Sequence, residues 1–365
     1  MDKAVPMSNS PLWQAHKAAG ALFAPHQGRL APRRYGPVSI EYQRLTTDAG
    51  LSDRSYVGRL RVMGKDALDL LNRLSTNDLM GLVPGSGGAT ILTTNKGRII
   101  DRLVVLHMND SVLLLTSPRT RTEVARWIDT YTFLEDARVE DATEGTAVLS
   151  VSGPNSALRL DTLMGGNLEG LPLYHWRALS VAGMPVTAVH TDPVGLPGYD
   201  LIASTEHAPR LWEHLRDSGI PPVGHAALEM VRVERGVPLQ GRELTQEFNP
   251  LEAEQWDAVS FAKGCYVGQE VVARLSTYDK VQKHLVLLKV DGRGAVPPGA
   301  VVQADGQRVG SVTSAACPPR RHKTLALAYL HRSHARPGVA VEVVVDGAYR
   351  PARAARLPGG RKNHA

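Results

Sequence analysis

The stretch richest in chemistry runs from Lys263 to Glu270 and reads Lys-Gly-Cys-Tyr-Val-Gly-Gln-Glu. Cys265 stands between Gly264 and Tyr266 with the cation of Lys263 close by, and Gln269-Glu270-Val271-Val272 predicts a helix start just beyond. Positive charge and a helix dipole aimed at a thiol both stabilise the thiolate, so the pattern points to a reactive cysteine with a depressed pKa. Gly264 and Gly268 supply the backbone freedom that such a loop needs. The competing reading is a small buried hydrophobe, the usual fate of a free cysteine. Cys317 follows Ala315-Ala316 at a predicted strand end with no cation directly beside it, and predicts an unreactive thiol.

Upstream lie Arg232, Glu234, Glu243 and the segment Asn249-Pro250-Leu251-Glu252. Arg232 and Glu234 could form a structural ion pair or face a ligand with equal ease. Standard signatures are missing. There is no Gly-x-Gly-x-x-Gly after a strand, no Walker loop, no Gly-x-Ser-x-Gly elbow and no His-Glu-x-x-His, which argues against dinucleotide, nucleotide-triphosphate, serine-hydrolase and zinc-protease chemistry. With only 2 cysteines the chain has no Cys-x-x-Cys pair and no four-thiolate set for an iron–sulfur cluster of its own. Its 13 histidines are scattered without metal-ligand spacing, so no metal site is expected.

These residues must be positioned by a mixture of helices and strands. Ala67, Leu70, Leu71 and Leu74 recur at helical spacing, and Ser75-Thr76-Asn77-Asp78 either ends that helix or caps another. Leu103–Leu106 and Val112–Leu115 predict a hairpin turning at Asn109-Asp110; residues 122–130, 204–217 and 226–233 predict helices, and 147–151 a strand broken by Gly153-Pro154. Beyond Lys283 the helical pattern stops. Short β-rich runs alternate with turns there, and Asp305-Gly306 and Asp346-Gly347 are hairpin signals, since both central positions of a type I′ turn need positive φ. The reading is an α+β chain with a separate C-terminal β-barrel and a boundary near Val281.

Composition agrees with a soluble globular chain: 365 residues, 43% hydrophobic and 21% charged, enough for two or three domains. No stretch approaches membrane-spanning length and the first residues carry no apolar run of secretory type, so the cytoplasm is the expected compartment. The net charge of +6 tilts the chain toward anionic ligands, though Arg350, Arg353, Arg356, Arg361 and Lys362 read as a solvated basic tail. No dense basic stripe interleaved with aromatics supports nucleic-acid binding.

Lys263 through Glu270 resembles the Lys-Gly-Cys-Tyr-x-Gly-Gln-Glu signature of the YgfZ-type folate-binding proteins, which maintain iron–sulfur enzymes within the glycine-cleavage T-protein (aminomethyltransferase) superfamily. Ala49-Gly50-Leu51-Ser52-Asp53, Ser75-Thr76-Asn77-Asp78, Asn95-Lys96-Gly97, Ser152-Gly153-Pro154 and Gly310-Ser311-Val312-Thr313-Ser314 are similar to superfamily landmarks in the same order, so the resemblance covers almost the whole chain. It implies a T-protein-like fold of two α+β domains around a central channel, residues 1–150 and 151–281, and a barrel with a basic tail over 282–365.

The resemblance also implies site residues. In the aminomethyltransferases the octapeptide lacks the cysteine, so Cys265 and Gln269 favour the YgfZ side. Their Asp-Asp pair is matched here by Asp101-Arg102, leaving Asp101 as the surviving carboxylate and no aminomethyl turnover as the expectation. The segment that presents a glutamate to the pterin is matched by Gly195-Leu196-Pro197-Gly198-Tyr199-Asp200, where Leu196 cannot accept a hydrogen bond. Folate needs a carboxylate for the pterin, apolar walls and cations for its tail, which nominates Glu252, Asp200 and Arg232. Tyr199 and Tyr266 could stack on the ring or merely pack, and Trp256 shares that ambiguity. Cys265, Lys263 and Asp101 are the candidate catalytic groups. The expected function is a tetrahydrofolate-binding accessory protein in assembly or repair of iron–sulfur enzymes, with folate and iron–sulfur client proteins as partners; the alternative is an aminomethyltransferase moving a one-carbon unit onto tetrahydrofolate.

Overall fold

The structure is a computed structural model and describes residues 8–165 and 168–358. By internal packing the chain falls into two compact units, Met1–Leu70 with Gly81–Gly88 and Leu103–Leu228, and Leu71–Met80 with Ala89–Arg102 and Glu229–Ala365.

In the first unit a five-stranded sheet runs in the order Trp176–Val181, Met184–Thr191, Gly198–Ser204, Thr146–Ser152, Gly50–Asp53. Its strand Thr146–Ser152, paired on both sides, shows why so apolar a run is needed. Ala147, Leu149 and Val151 point into one core with Trp212 and Leu215 of the helix Ala208–Asp217, while Val148 points the other way into a second cluster with Leu113, Leu115 and Trp176. Side chains alternate along a strand, so a strand buried on both faces must be apolar at nearly every position. A second five-stranded sheet has the order Gly87–Thr93, Ile99–His107, Ser111–Thr116, Gly58–Met63, Arg138–Asp141. The expected hairpin is its middle, with Val104 opposite Leu115 and His107 opposite Val112.

The predicted helices lie at Ala67–Leu74, Arg121–Thr130, Ala208–Asp217 and His225–Arg235. One boundary differs. Helical patterning from 204 onward is overridden at Ser204, which ends the strand Gly198–Ser204 by pairing with Thr146. Ser75 ends the helix Ala67–Leu74, its hydroxyl donating to the Leu71 carbonyl at 2.8 Å, and no second helix follows.

The C-terminal barrel is closed by six strands, in the order Lys283–Val290, Thr324–His331, Gln307–Ala316, Val301–Ala304, Ala340–Val345, Ala348–Ala355. Asp305-Gly306 and Asp346-Gly347 turn with φ of 49° and 73° and of 51° and 79°, the left-handed pair that a type I′ hairpin requires. Alternate residues such as Leu288, Val290, Ala328, Leu330 and Val343 fill the interior. Arg350 and Arg353 belong to the last strand and not to a solvated tail: Arg353 alternates outward between the buried Ala352 and Ala354, and Arg350 donates to the carbonyls of Asp291, Gly292 and Ala295. Arg361 and Lys362 lie outside the described residues.

Candidate functional site

In the second unit, Lys263–Glu270 forms a loop that enters the helix Gln269–Thr277. Gly268 is the residue before the helix at φ 84°, and a Cβ there would sit 2.5 Å from the Thr94 carbonyl oxygen, so only glycine fits. Thr93 Oγ1 donates to the Val267 carbonyl at 2.6 Å, and the Val267 N–H to the Arg73 carbonyl at 3.3 Å. Tyr266 is buried, with the Lys263 ammonium 5.5 Å from its ring centre, and burial pushes its hydroxyl up to about 12. Cys265 is exposed, as is Gly264 before it; Cys317 is half-buried.

Lys263 does something other than flank the thiol. Its ammonium lies 2.5 Å from the Asn72 carbonyl, 3.0 Å from Asn72 Oδ1, 2.9 Å from the Ser75 carbonyl and 2.7 Å from the Asn77 carbonyl. An ammonium has three donors, so all are taken. Burial pushes this amine down to about 8, opposed by the Asp78 carboxylate.

Asp101 is fully buried in the strand Ile99–His107. Arg102 makes an ion pair with Asp257 at 3.2 Å. Glu252 is buried, and its Oε2 accepts from the Asn249 N–H at 3.1 Å and from Arg98 at 3.4 Å; its Oε1 takes no hydrogen bond from any described residue. Asn249 Oδ1 caps the turn by accepting from the N–H groups of Leu251 and Glu252, which is why an Asn-Pro-x-Glu segment folds this way.

Arg232 is buried and its five N–H donors are all engaged. Two go to Glu229, one to Glu243 Oε2 at 3.2 Å, one to the Val237 carbonyl at 2.6 Å and one to Ser314 Oγ at 2.7 Å. Burial opposes the charge, and Glu229 and Glu243 outweigh it, so the guanidinium is held above its usual pKa. Its partner is therefore not Glu234, which pairs with Arg321 at 2.7 Å.

Asp200 and Tyr199 belong to the first unit. The Asp200 carboxylate is buried and held at Oδ2 by Arg54, while Oδ1 has no partner among the described residues. Burial works against the Arg54 charge, and Asp200 outweighs it. Tyr199 stacks on His190 with ring centres 5.0 Å apart and donates its hydroxyl to the Leu168 carbonyl at 2.7 Å, the packing role weighed against ligand stacking above. Leu196 is buried.

Sequence reasoning missed Arg54, Arg98 and the trio in which Glu254 accepts from Trp256 Nε1 at 3.2 Å and contacts His284 Nδ1 at 2.7 Å. Glu254 has φ of 57°, and no residue type at that position signals it. Arg54 directly follows the landmark ending at Asp53, the one hint available. Among the described residues no group of three His, Cys, Asp or Glu could hold a metal ion, and no helix is long and apolar enough to cross a membrane.

Two α+β sheets, a closed six-stranded barrel, a glycine-hinged loop presenting a thiol, and a carboxylate held at one oxygen define the class of protein. Residues 12–263 match the GCVT N-terminal domain and residues 283–359 the glycine cleavage T-protein C-terminal barrel domain, so the chain belongs to the glycine cleavage T-protein family. It is 31% identical over 354 residues to an aminomethyltransferase of Streptomyces coelicolor, covering 94% of this chain and 95% of that protein. An aminomethyltransferase of Saccharopolyspora erythraea is 30% identical over 365 residues, covering 97% and 98%. The fold is that of the crystal structure of glycine cleavage system aminomethyltransferase T from Bartonella henselae, with a TM-score of 0.87 over 96% of this chain and 98% of that one at 24% identity. The relatives thus carry the name that the sequence reading placed second.

Proposed function

We propose that this chain binds a reduced folate and performs one-carbon chemistry of the aminomethyltransferase type. The observation that carries the reading is Glu252: a buried carboxylate fixed at Oε2 with Oε1 open is suited to the N–H groups of a pterin, which a charge-assisted hydrogen bond would hold. The names of the similar proteins support it. In this reading Asp101 is the carboxylate facing the aminomethyl nitrogen, and the Arg102–Asp257 pair stands where a second acid would help, which slows the transfer.

A second reading rests on Cys265. Its exposure in an intact Lys-Gly-Cys-Tyr-x-Gly-Gln-Glu octapeptide favours a YgfZ-type protein that binds tetrahydrofolate without turnover and uses the thiol on iron–sulfur clients in the cytoplasm. Titration calorimetry with tetrahydrofolate and its 5-formyl derivative tests what the two readings share. Glu252→Gln should keep the fold and weaken binding by about 1.5–3 kcal/mol, the value of a hydrogen bond to a charged group. Unchanged affinity would move the pterin anchor to Asp200, and absence of binding would sink both readings. Lipoyl-protein-dependent turnover then separates them, since only the aminomethyltransferase reading predicts product.

A further inference from the structure

The oxygens around Lys263 have a common origin. The helix Ala67–Leu74 ends there, and the last four carbonyls of any helix lack intrahelical partners and carry its negative end. The Leu71 carbonyl is taken by Ser75 Oγ, the Arg73 carbonyl by the Val267 N–H, and the Asn72 carbonyl by the Lys263 ammonium. The turn that follows folds the Ser75 and Asn77 carbonyls toward the same point, and Asn72 Oδ1, itself accepting from the Leu79 N–H at 3.0 Å, completes the set. Four neutral oxygens converging on one centre, with the Asp78 carboxylate acting on the same ammonium, form the kind of shell that replaces the hydration of a monovalent cation.

We propose that residues 72–77 form a monovalent-cation site at a helix C-terminus, that the ammonium of Lys263 is its resident cation, and that this tethered cation holds the Cys265 loop in place. Lys263 is then a positioning residue. The loop in return caps the helix through the Val267 N–H, so removing the cation should loosen both partners together. The proposal holds whichever reaction the thiol serves, and it stands or falls separately from folate binding.

The test is the Lys263→Ala variant of the full chain, with hydrogen exchange of the Val267 amide as readout. In choline chloride its exchange should rise by roughly ten- to a hundredfold, the change expected when one or two charge-assisted hydrogen bonds anchoring a local structure are lost. Potassium or ammonium chloride at equal ionic strength should bring exchange back toward the wild-type rate, whereas the wild type should respond to none of these salts. An unchanged rate in the variant would overturn the anchoring role, and a faster rate that no cation reverses would overturn the cation site. Where the alanine variant does not fold, Lys263→Met keeps the stem, and in the wild type the ammonium protons of Lys263 should exchange slowly below pH 8; exchange as fast as that of a surface lysine would refute the proposal.

Discussion

Two cations of the second unit, the buried Arg232 and the half-buried Lys263, anchor their surroundings by opposite electrostatic means. Arg232 joins the helix His225–Arg235 to the barrel strand Gln307–Ala316 and sits among carboxylates, with Glu243 wholly buried and accepting from Ser314 Oγ through its other oxygen at 2.7 Å. Lys263 joins the thiol loop to a helix end and sits among neutral oxygens. The first is held charged by its partners, the second is pushed toward neutrality by burial. A guanidinium with a fixed fork suits a permanent seam between two carboxylates, whereas a compact ammonium suits a point where carbonyls converge. The seam should therefore govern global stability and the loop local order.

The largest effect should follow from breaking the seam. Arg232→Met leaves Glu243 buried without its counter-charge, and such a loss costs about 3–5 kcal/mol, to be read as a lowered urea midpoint. A loss below about 1 kcal/mol, the range of surface pairs, would remove the distinction between the two regions. If Arg232 contacts folate as well, a stable Arg232→Lys variant would lose affinity, although its five donors leave none for a ligand in this arrangement.

An intermediate effect belongs to the loop. Gly268→Ala forces a Cβ to 2.5 Å from the Thr94 carbonyl at a left-handed φ, and strain of this kind costs on the order of 1–3 kcal/mol. The thiol loop should loosen, seen as faster exchange at Val267, while the barrel amides keep their protection. Loss of protection in both places at once would mean that loop and seam unfold as one unit.

The smallest effect should come from Cys265→Ala. An exposed residue contributes little packing, so stability should change by no more than about 0.5 kcal/mol. Iodoacetamide should label Cys265 of the wild type ahead of the half-buried Cys317, and equal rates would show that the loop does not present the thiol.

Much of this was legible along the chain wherever the signal is local. A type I′ turn needs two left-handed residues in succession, and Asp305-Gly306 and Asp346-Gly347 announce theirs. Gly268 announces the hinge before the helix, and the alternation of apolar residues beyond Lys283 announces barrel strands. The family resemblance placed the chain in the T-protein superfamily, and residues 12–263 and 283–359 match its two domains. The narrower YgfZ branch rests on the octapeptide and stays a proposal.

What the amino-acid order could not determine is where the charged groups find their partners. Lys263 stands beside Cys265 in the chain, yet its ammonium is committed to oxygens 186 to 191 residues away. Arg232 and Glu234 read as neighbours, but the helix turns them to different sides, toward Glu243 and Ser314 in one case and Arg321 in the other. Asp200 finds Arg54 from 146 residues away. The physical reason is that turns and periodicities depend on side-chain type and backbone angle, which each segment carries with it. The strongest partners of Lys263 are backbone carbonyls, which every residue possesses, so only the tertiary fold decides which of them point to one place.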